Sequence, residues 1–295
     1  MNSLFSHIHP ASLAGAFAAG GLTLGIASRF LVRSVQADSN SPSKTFGVGP
    51  SFLSLPLESS ISVNHNTKLL RFKLPGHNAV SGLPLTSALL TMSWPTGSWF
   101  PVARPYTPVS SSDAPGYIEL LVKHYPSGRS STHLHSLKPG DTLLIAAAIK
   151  GYAWQPNSYK HITLVAGGAG ITPLYQLAQG ILRNPNDHTT MALVFGVNSD
   201  KDILLKREFD QFERDYPGRF KATYVVSSPA EDSPHRRGYV TRKLLEEVAP
   251  APGTGSDTKV FVCGPPAMEA ALVGKRGHDG ILQQMGYKKS QIHRF

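Results

Sequence analysis

The chain has 295 residues, room for two domains of about 100–150 residues each, and its ordinary hydrophobic content of 41% argues against a largely disordered polypeptide. A single cysteine, Cys263, excludes an intramolecular disulfide and a cysteine-based zinc cluster. The formal net charge of +10 comes from scattered Lys and Arg without a basic stripe, so an acidic protein or an anionic cofactor fits better than nucleic acid.

Leu13 to Val32 is apolar, rich in Ala and Gly, and carries Arg29 as its only charge. That is just long enough to cross a bilayer, and Arg29 near one end can snorkel to the interface. No acidic residue precedes Asp38, a feature shared with mitochondrial targeting segments. Residues 1–33 are therefore expected to form a membrane anchor or targeting segment, with a removable presequence and an amphipathic or disordered tail as alternatives. Residues 34–50 are polar and rich in Ser, Pro and Gly, the composition of a linker.

Residues 51–155 alternate short apolar runs with Pro, Gly and Asn. "SISVNHNTKLLRFKLPG" predicts two strands around an Asn-containing turn, and "SALLTMSW", "GYIELLVKHY" and "DTLLIAAAI" predict further strands. Together they predict an antiparallel all-β barrel. Over residues 156–295 strands alternate with helices, as in "HITLVAGGAGITPLYQLAQGILRN", which predicts an α/β doubly wound parallel sheet. Ligands of such sheets bind beyond the carboxyl ends of the strands, where "GGAGITP" and "CGPPAM" would fall.

Several stretches carry candidate chemistry. "RPYTPVS" gathers Arg104, Tyr106, Thr107 and Ser110 between Pro105 and Pro108, which suits a flat phosphorylated ligand or an ordinary surface strand. "GRSS" offers Gly128, Arg129, Ser130 and Ser131 to a pyrophosphate, or else a Ser-rich turn before a helix capped by Ser or Thr. Gly167, Gly168 and Gly170 lie between a strand and a helix, where backbone can approach phosphate closely, although the spacing is not the G-x-G-x-x-G fingerprint. Asp200 and Asp202 follow a strand and suit either ribose hydroxyls or a helix N-cap, a role Asp202 would fill well. Cys263 reads by itself as a small buried apolar residue, and His133 and His135 as helix-surface residues and not metal ligands.

In order, "RPYTPVS", "GRSS", "GGAGITP", "KDILL", "CGPPAM" and the terminal "HRF" resemble the NADH–cytochrome b5 reductases of the ferredoxin-reductase superfamily. The resemblance covers about residues 50–295, and "STHLHSLKPGD" and "DILLKREF" look most like the fungal mitochondrial form. It implies an FAD-binding barrel and an NAD-binding sheet. Arg104 would meet the FAD pyrophosphate, Tyr106 the isoalloxazine and Thr107 its reactive edge, with Pro105 among the cofactor-binding residues and Leu121 and Lys123 on a flavin-side strand. Gly128, Arg129, Ser130 and Ser131 would hold the other side of the pyrophosphate. Thr172 would lie at the junction of flavin and nicotinamide, with Gly167, Gly168, Gly170 and Pro173 among the cofactor-binding residues. Cys263, Gly264, Pro265, Pro266 and Met268 would line the nicotinamide site, and Asp202 would favour NADH. The resemblance further implies Thr107, Thr172 and Cys263 as catalytic residues, Cys263 without covalent chemistry.

The implied activity moves a hydride from NADH to FAD and single electrons on to cytochrome b5 or a similar acidic haem protein. A non-catalytic flavoprotein scaffold and an NADH-dependent reductase of another acceptor, such as a quinone, are the alternatives. The implied location is the mitochondrial outer membrane with an intermembrane-space form, or else the endoplasmic reticulum membrane. Two departures from the family pattern stand out: Ala169 where Thr is usual, and the "AAAIK" of residues 146–150 where Gly-Pro is usual.

Overall fold

The computed structural model describes residues 42–95, 97–252 and 257–295; the expected anchor over residues 1–33 and the linker up to residue 41 lie outside the described residues. Among the described residues no helix is long and apolar enough to cross a membrane.

The first half is a curled six-stranded antiparallel sheet, built from β1 (Gly49–Asn64), β2 (Thr67–Lys73), β3 (Ala88–Ser93), β4 (Val102–Tyr106), β5 (Tyr117–Lys123) and β6 (Thr142–Ile149). Its order is β4-β3-β6-β1-β2-β5, so β4 and β5 are the edges. The expected Asn turn closes the β1–β2 hairpin, where Asn64 accepts the backbone N–H of Asn66 through its side chain. Helix α1 (Arg129–Ser136) packs on β3, β4 and β5 and closes the gap between the two edges. Leu70, Phe72, Leu89, Ile118, Leu120 and Leu134 fill the interior.

The second half is a parallel sheet in the order β10-β9-β8-β7-β11-β14. Its strands are β7 (His161–Gly167), β8 (Thr190–Val197), β9 (Phe220–Val226), β10 (Arg236–Arg237), β11 (Thr258–Cys263) and β14 (Ile292–Arg294). A short hairpin, β12 (Gly274–Lys275) with β13 (His278–Asp279), stands apart from it. From β7 the chain winds through α2 (Ile171–Arg183) to β8 and through α3 (Lys206–Asp215) to β9. After α4 (Arg242–Val248) it returns to the other side of β7 as β11, which α5 (Pro266–Val273) and α6 (Ile281–Gln284) follow. The order therefore reverses between β7 and β11, and that is where a crevice opens in sheets of this kind.

The halves share a core. Val109 and Leu121 of the barrel belong to the same apolar cluster as Ile162, Leu164, Ile171, Leu174 and Phe209. Gly180 in the middle of α2 lets Leu85 of the barrel sit on the helix, since a Cβ there would meet its side-chain carbons. A further weld involves Asp187, fully buried before β8. It accepts the Trp154 indole N–H at 2.8 Å, the Asn157 backbone N–H at 3.3 Å and the Thr189 hydroxyl at 2.7 Å.

Candidate functional site

Two clefts open along the seam between the halves. One, of about 770 Å³, is walled by Pro105, Tyr106, Thr107 and Leu121 of the barrel and by Ala169, Gly170, Thr172, Pro173 and Cys263 of the sheet. The other, of about 690 Å³, takes in Gly168, Gly196, Asn198, Asp202, Gly238, Tyr239 and Met268. They share Lys123, Tyr125, Gly167 and Pro265, so two molecules lying in them would meet there.

The sheet's contribution to both clefts is backbone. Gly167 ends β7 and faces the turn after β11, and a Cβ on it would come within 2.6 Å of the Met268 sulfur and 2.7 Å of Pro265. Gly170 packs on the carbonyl of Cys263, where a Cβ would overlap the oxygen. Gly168 holds φ +52, and a Cβ there would meet the Tyr125 hydroxyl at 3.8 Å. Glycine is required at these places because two strand ends, β7 and β11, approach across the reversal. Helix α2 starts straight from this turn with no side-chain cap and no acidic residue in its first turn. By contrast Thr241, which lines neither cleft, caps α4 by accepting the Leu244 N–H at 3.2 Å.

The barrel contributes side chains. Arg104 lies on the edge strand β4, exposed, and among the described residues its guanidinium bonds only to the neighbouring Ala103 carbonyl, at 2.8 Å. Tyr106 is half-buried, and burial raises its phenol pKa against the opposing influence of Ser130 and Arg104. Thr107 is buried at the cleft wall. Ser110 faces away from it, accepting the Glu119 N–H at 3.0 Å and so fixing β5.

The start of α1 differs from the expectation of a Ser or Thr cap: Gly128 is the N-cap, and no side chain caps the helix. Ser130 and Ser131 point inward, because their turn is pinned to the barrel. Ser130 pairs with the Ser93 hydroxyl at 3.0 Å, while Ser131 donates to the Gly128 carbonyl at 2.9 Å and accepts the Tyr125 N–H at 3.2 Å. That leaves the first-turn backbone amides of α1 and the Arg129 guanidinium as its outward-facing donors. His135 is likewise not purely a surface residue: its ring pairs with the Val122 carbonyl at 2.8 Å.

Asp202 is the most constrained charge of the site. Its carboxylate accepts Lys123 at 2.7 Å, the Ser199 hydroxyl at 2.7 Å and Asn66 at 3.2 Å. Burial works to raise its pKa, but Lys123, Ser199 and Asn66 outweigh it and hold the group at about 2. It does not cap a helix as expected. Ser199 is the N-cap of the 3₁₀ turn Asp200–Asp202, and Asp202 closes the capping box from its third position. Lys123 and Asn66 belong to the barrel, so the carboxylate also joins the halves. Asp200 holds its own loop by accepting the Ala230 N–H at 2.7 Å and the Ser233 hydroxyl.

Cys263 ends β11 at the cleft wall, and burial with the nearby Glu269 charge pushes its thiol up to about 12. It is a neutral thiol over the working pH range and forms wall, not nucleophile. The two departures from the family pattern leave the cleft formed. Ala169 lines it, and β6 runs on to Ile149 before Gly151 packs on the Thr86 carbonyl.

Residues 54–153 match the model of the oxidoreductase FAD-binding domain, and residues 164–273 that of the oxidoreductase NAD-binding domain. NADH-cytochrome b5 reductase 2 of Phaeosphaeria nodorum is 46% identical over 251 residues, which is 83% of this chain and 75% of that one. The Emericella nidulans protein of the same name is 45% identical over 267 residues, 88% of this chain and 83% of its own. The chain belongs to the NADH-cytochrome b5 reductase family. This reductase is an NADH-dependent, FAD-containing oxidoreductase. Its fold agrees with the cytochrome b5 reductase domain of Ulva prolifera nitrate reductase at a TM-score of 0.75 and 26% identity, over 87% of this chain and all of that one.

The residues of the reductase fit both cofactors. The uncapped α1 and α2 termini and the exposed Arg104, which makes no ion pair among the described residues, suit phosphates, and the glycines at 167, 168 and 170 leave no side chain where a dinucleotide must approach backbone. Sequence reasoning missed Tyr125, Gly196, Gly238, Tyr239 and Phe295, all cleft residues. Phe295 was visible as part of "HRF". Gly238 and Tyr239 have no motif of their own, and only the return of the chain after β10 brings them to the cleft.

Proposed function

We propose that this reductase passes electrons from NADH to cytochrome b5. FAD, when bound, supplies the step between them, taking a hydride from NADH and releasing electrons singly to a haem. The observation that carries the reading is the meeting of the two clefts at Lys123, Tyr125, Gly167 and Pro265. A rigid seam at that point orients two rings against each other, and such orientation is the protein's main contribution to a transfer of this kind.

Each residue then has a task. Arg104 and the amides at the start of α1 hold the FAD diphosphate, while Tyr106, Thr107 and Leu121 shape the flavin side. Thr172, whose hydroxyl donates back to the Ala169 carbonyl at 3.3 Å, fixes the turn where the rings meet. Cys263 and Pro265 exclude water from the nicotinamide, and Asp202 disfavours a second phosphate on the ribose. The surplus of 29 Lys and Arg over 19 Asp and Glu steers an acidic haem protein to the reductase. The apolar stretch Leu13–Val32 anchors it to the mitochondrial outer membrane, and release from that segment yields an intermembrane-space form.

Anaerobic titration of the purified full chain with NADH, followed by oxidised cytochrome b5, tests the reading. Bleaching of a yellow protein by NADH and its return as the haem is reduced is the expected result. Bleaching without haem reduction would replace the acceptor, with a quinone next in line. A flavin indifferent to NADH would leave a scaffold. Removal of residues 1–34 should give a soluble, active reductase, and endoplasmic reticulum fractionation of the tagged full chain would move the anchor to that membrane.

A further inference from the structure

Where the described chain enters the barrel, three apolar side chains stand in solvent: Val48 is 65% exposed, Phe52 74% and Ile149 41%. Val48 and Phe52 flank the start of β1, and Ile149 ends β6. Gly49 pairs with Ala148, so Val48 and Ile149 come next on two neighbouring strands. Single exposed apolar residues are ordinary, but three gathered at one end of a strand pair mark a contact surface.

The surface is built into the backbone. Three steps of β1, from Pro50 to Leu53, face only two of β6, from Ala147 to Ile145, which makes a β-bulge. Inside it Phe52 holds φ +42, a conformation that bulky side chains rarely adopt and that persists only where the surroundings impose it. Leu53, packed against the barrel core, and the buried Leu55 and Leu57 fix the inward face of β1, and the bulge leaves Phe52 outside. The charge beside the patch is of one sign. A cleft of about 590 Å³ at the bulge is lined by Lys44, Pro50, Leu53 and Pro75 and, among the described residues, by no carboxylate. Lys150 follows Ile149 on the other strand.

The chain that precedes the patch says what covers it. Val32, the end of the apolar stretch, and Pro42, the first described residue, are ten positions apart, at most about 36 Å of extended chain. A bilayer that holds Leu13–Val32 is therefore always within reach of the bulge. We propose that the bulge face is a second membrane contact, with Val48, Phe52 and Ile149 among the headgroups of an anionic bilayer and Lys44 and Lys150 against its charge. The proposal rests on the reading of Leu13–Val32 as an anchor. Aromatic and aliphatic side chains with basic neighbours suit the boundary between headgroups and acyl chains. Ile149 and Lys150 also line the cleft of Tyr106 and Thr107, so the contact turns that cleft toward the bilayer, where a haem protein held in the same membrane meets it.

The test uses the full chain in vesicles of phosphatidylcholine with cardiolipin. A polarity-sensitive maleimide dye is placed at Ser54→Cys, exposed beside the bulge, or at Gln211→Cys, exposed on α3 of the other half. The native Cys263 takes little label, because its thiol is pushed up to about 12. The dye at position 54 should shift to the blue in vesicles and be quenched by spin-labelled lipid, and the dye at position 211 should do neither. Val48→Ser with Phe52→Ser should abolish the response at position 54 while the protein still floats with the vesicles. Lys44→Gln should weaken the response by about 5-fold, the worth of one lysine near an anionic surface, and leave it unchanged on phosphatidylcholine alone. An equal thermal midpoint would show that each variant is folded. A floating protein whose two dyes behave alike overturns the proposal and leaves the anchor standing, as does a response that survives the double substitution. A blue shift that grows with protein concentration in the absence of vesicles would also overturn it, giving the patch to a second copy of the chain. A protein that does not float at all refutes the anchor reading beneath it.

Discussion

The barrel and the parallel sheet meet their ligands by different means. Strand β4 offers side chains, with Arg104 exposed and Tyr106 half-buried on an edge. In β7 and β11, by contrast, nearly every residue is buried, because helices cover both faces of the sheet. A strand covered on both sides has no side chain to spare for a ligand, so the sheet can bind only at its ends and mostly through backbone. Substitution in the barrel should therefore remove one contact at a time. Substitution in the sheet's glycine turns should displace the site as a whole.

The largest effect expected from that contrast is at Gly170. In Gly170→Ala the new methyl group overlaps the Cys263 carbonyl and comes within 2.8 Å of the Gly264 nitrogen. Backbone must shift on both sides of the reversal, costing about 1–3 kcal/mol or more, and stopped-flow bleaching by NADH should be nearly abolished. Arg104→Ala should act more locally. FAD retention should weaken by about 10- to 100-fold, the worth of a charge-assisted hydrogen bond, with the thermal midpoint of the flavin-free protein unchanged. An unaltered flavin content would remove Arg104 from the site.

Asp202 tests the seam between the two regions. Its folded pKa of about 2 lies below the ordinary 3.8, so its stabilisation is complete above about 3.8 and is lost as pH falls through about 2. Asp202→Asn should flatten that acid limb in a denaturation series. Asp202→Thr should raise the rate with NADPH relative to NADH by about 10-fold, the scale of one charge contact. The smallest change is expected at Cys263. With the thiol pushed up to about 12, Cys263→Ser should leave the pH profile of flavin bleaching without a new inflection and alter its rate by about 3-fold or less. A thiol inflection near neutral pH in the unaltered reductase would make Cys263 a proton-transfer group after all.

Much of this was legible in the chain. The strands of the first half follow their alternation and their Asn, Gly and Pro breaks, and "GGAGITP" and "CGPPAM" do lie at the strand ends, because strand–turn–helix patterns are local. The inward turn of Ser130 and Ser131 was not legible, since a Ser-rich helix start looks the same whether its hydroxyls face ligand or barrel. Nor was the Lys123–Asp202 pair, whose members are 79 positions apart and meet only when the barrel docks on the sheet. Trp94 closes the predicted "SALLTMSW" strand while Trp99 and Phe100 belong to no motif, and only exposure sets the three apart.

The carboxylate of Asp187 has a consequence for how this chain can be divided. The FAD-binding and NAD-binding matches stop at residue 153 and resume at residue 164, which invites a cut between them. Trp154 and Asn157, on the stretch between, supply two of the hydrogen bonds that satisfy Asp187, and Trp154 also packs against Phe261 of β11. A fragment beginning at the second match would carry a buried charge stripped of those donors and an uncovered aromatic face. The joint between the two modules is a boundary of sequence, and in folding it is part of the interior.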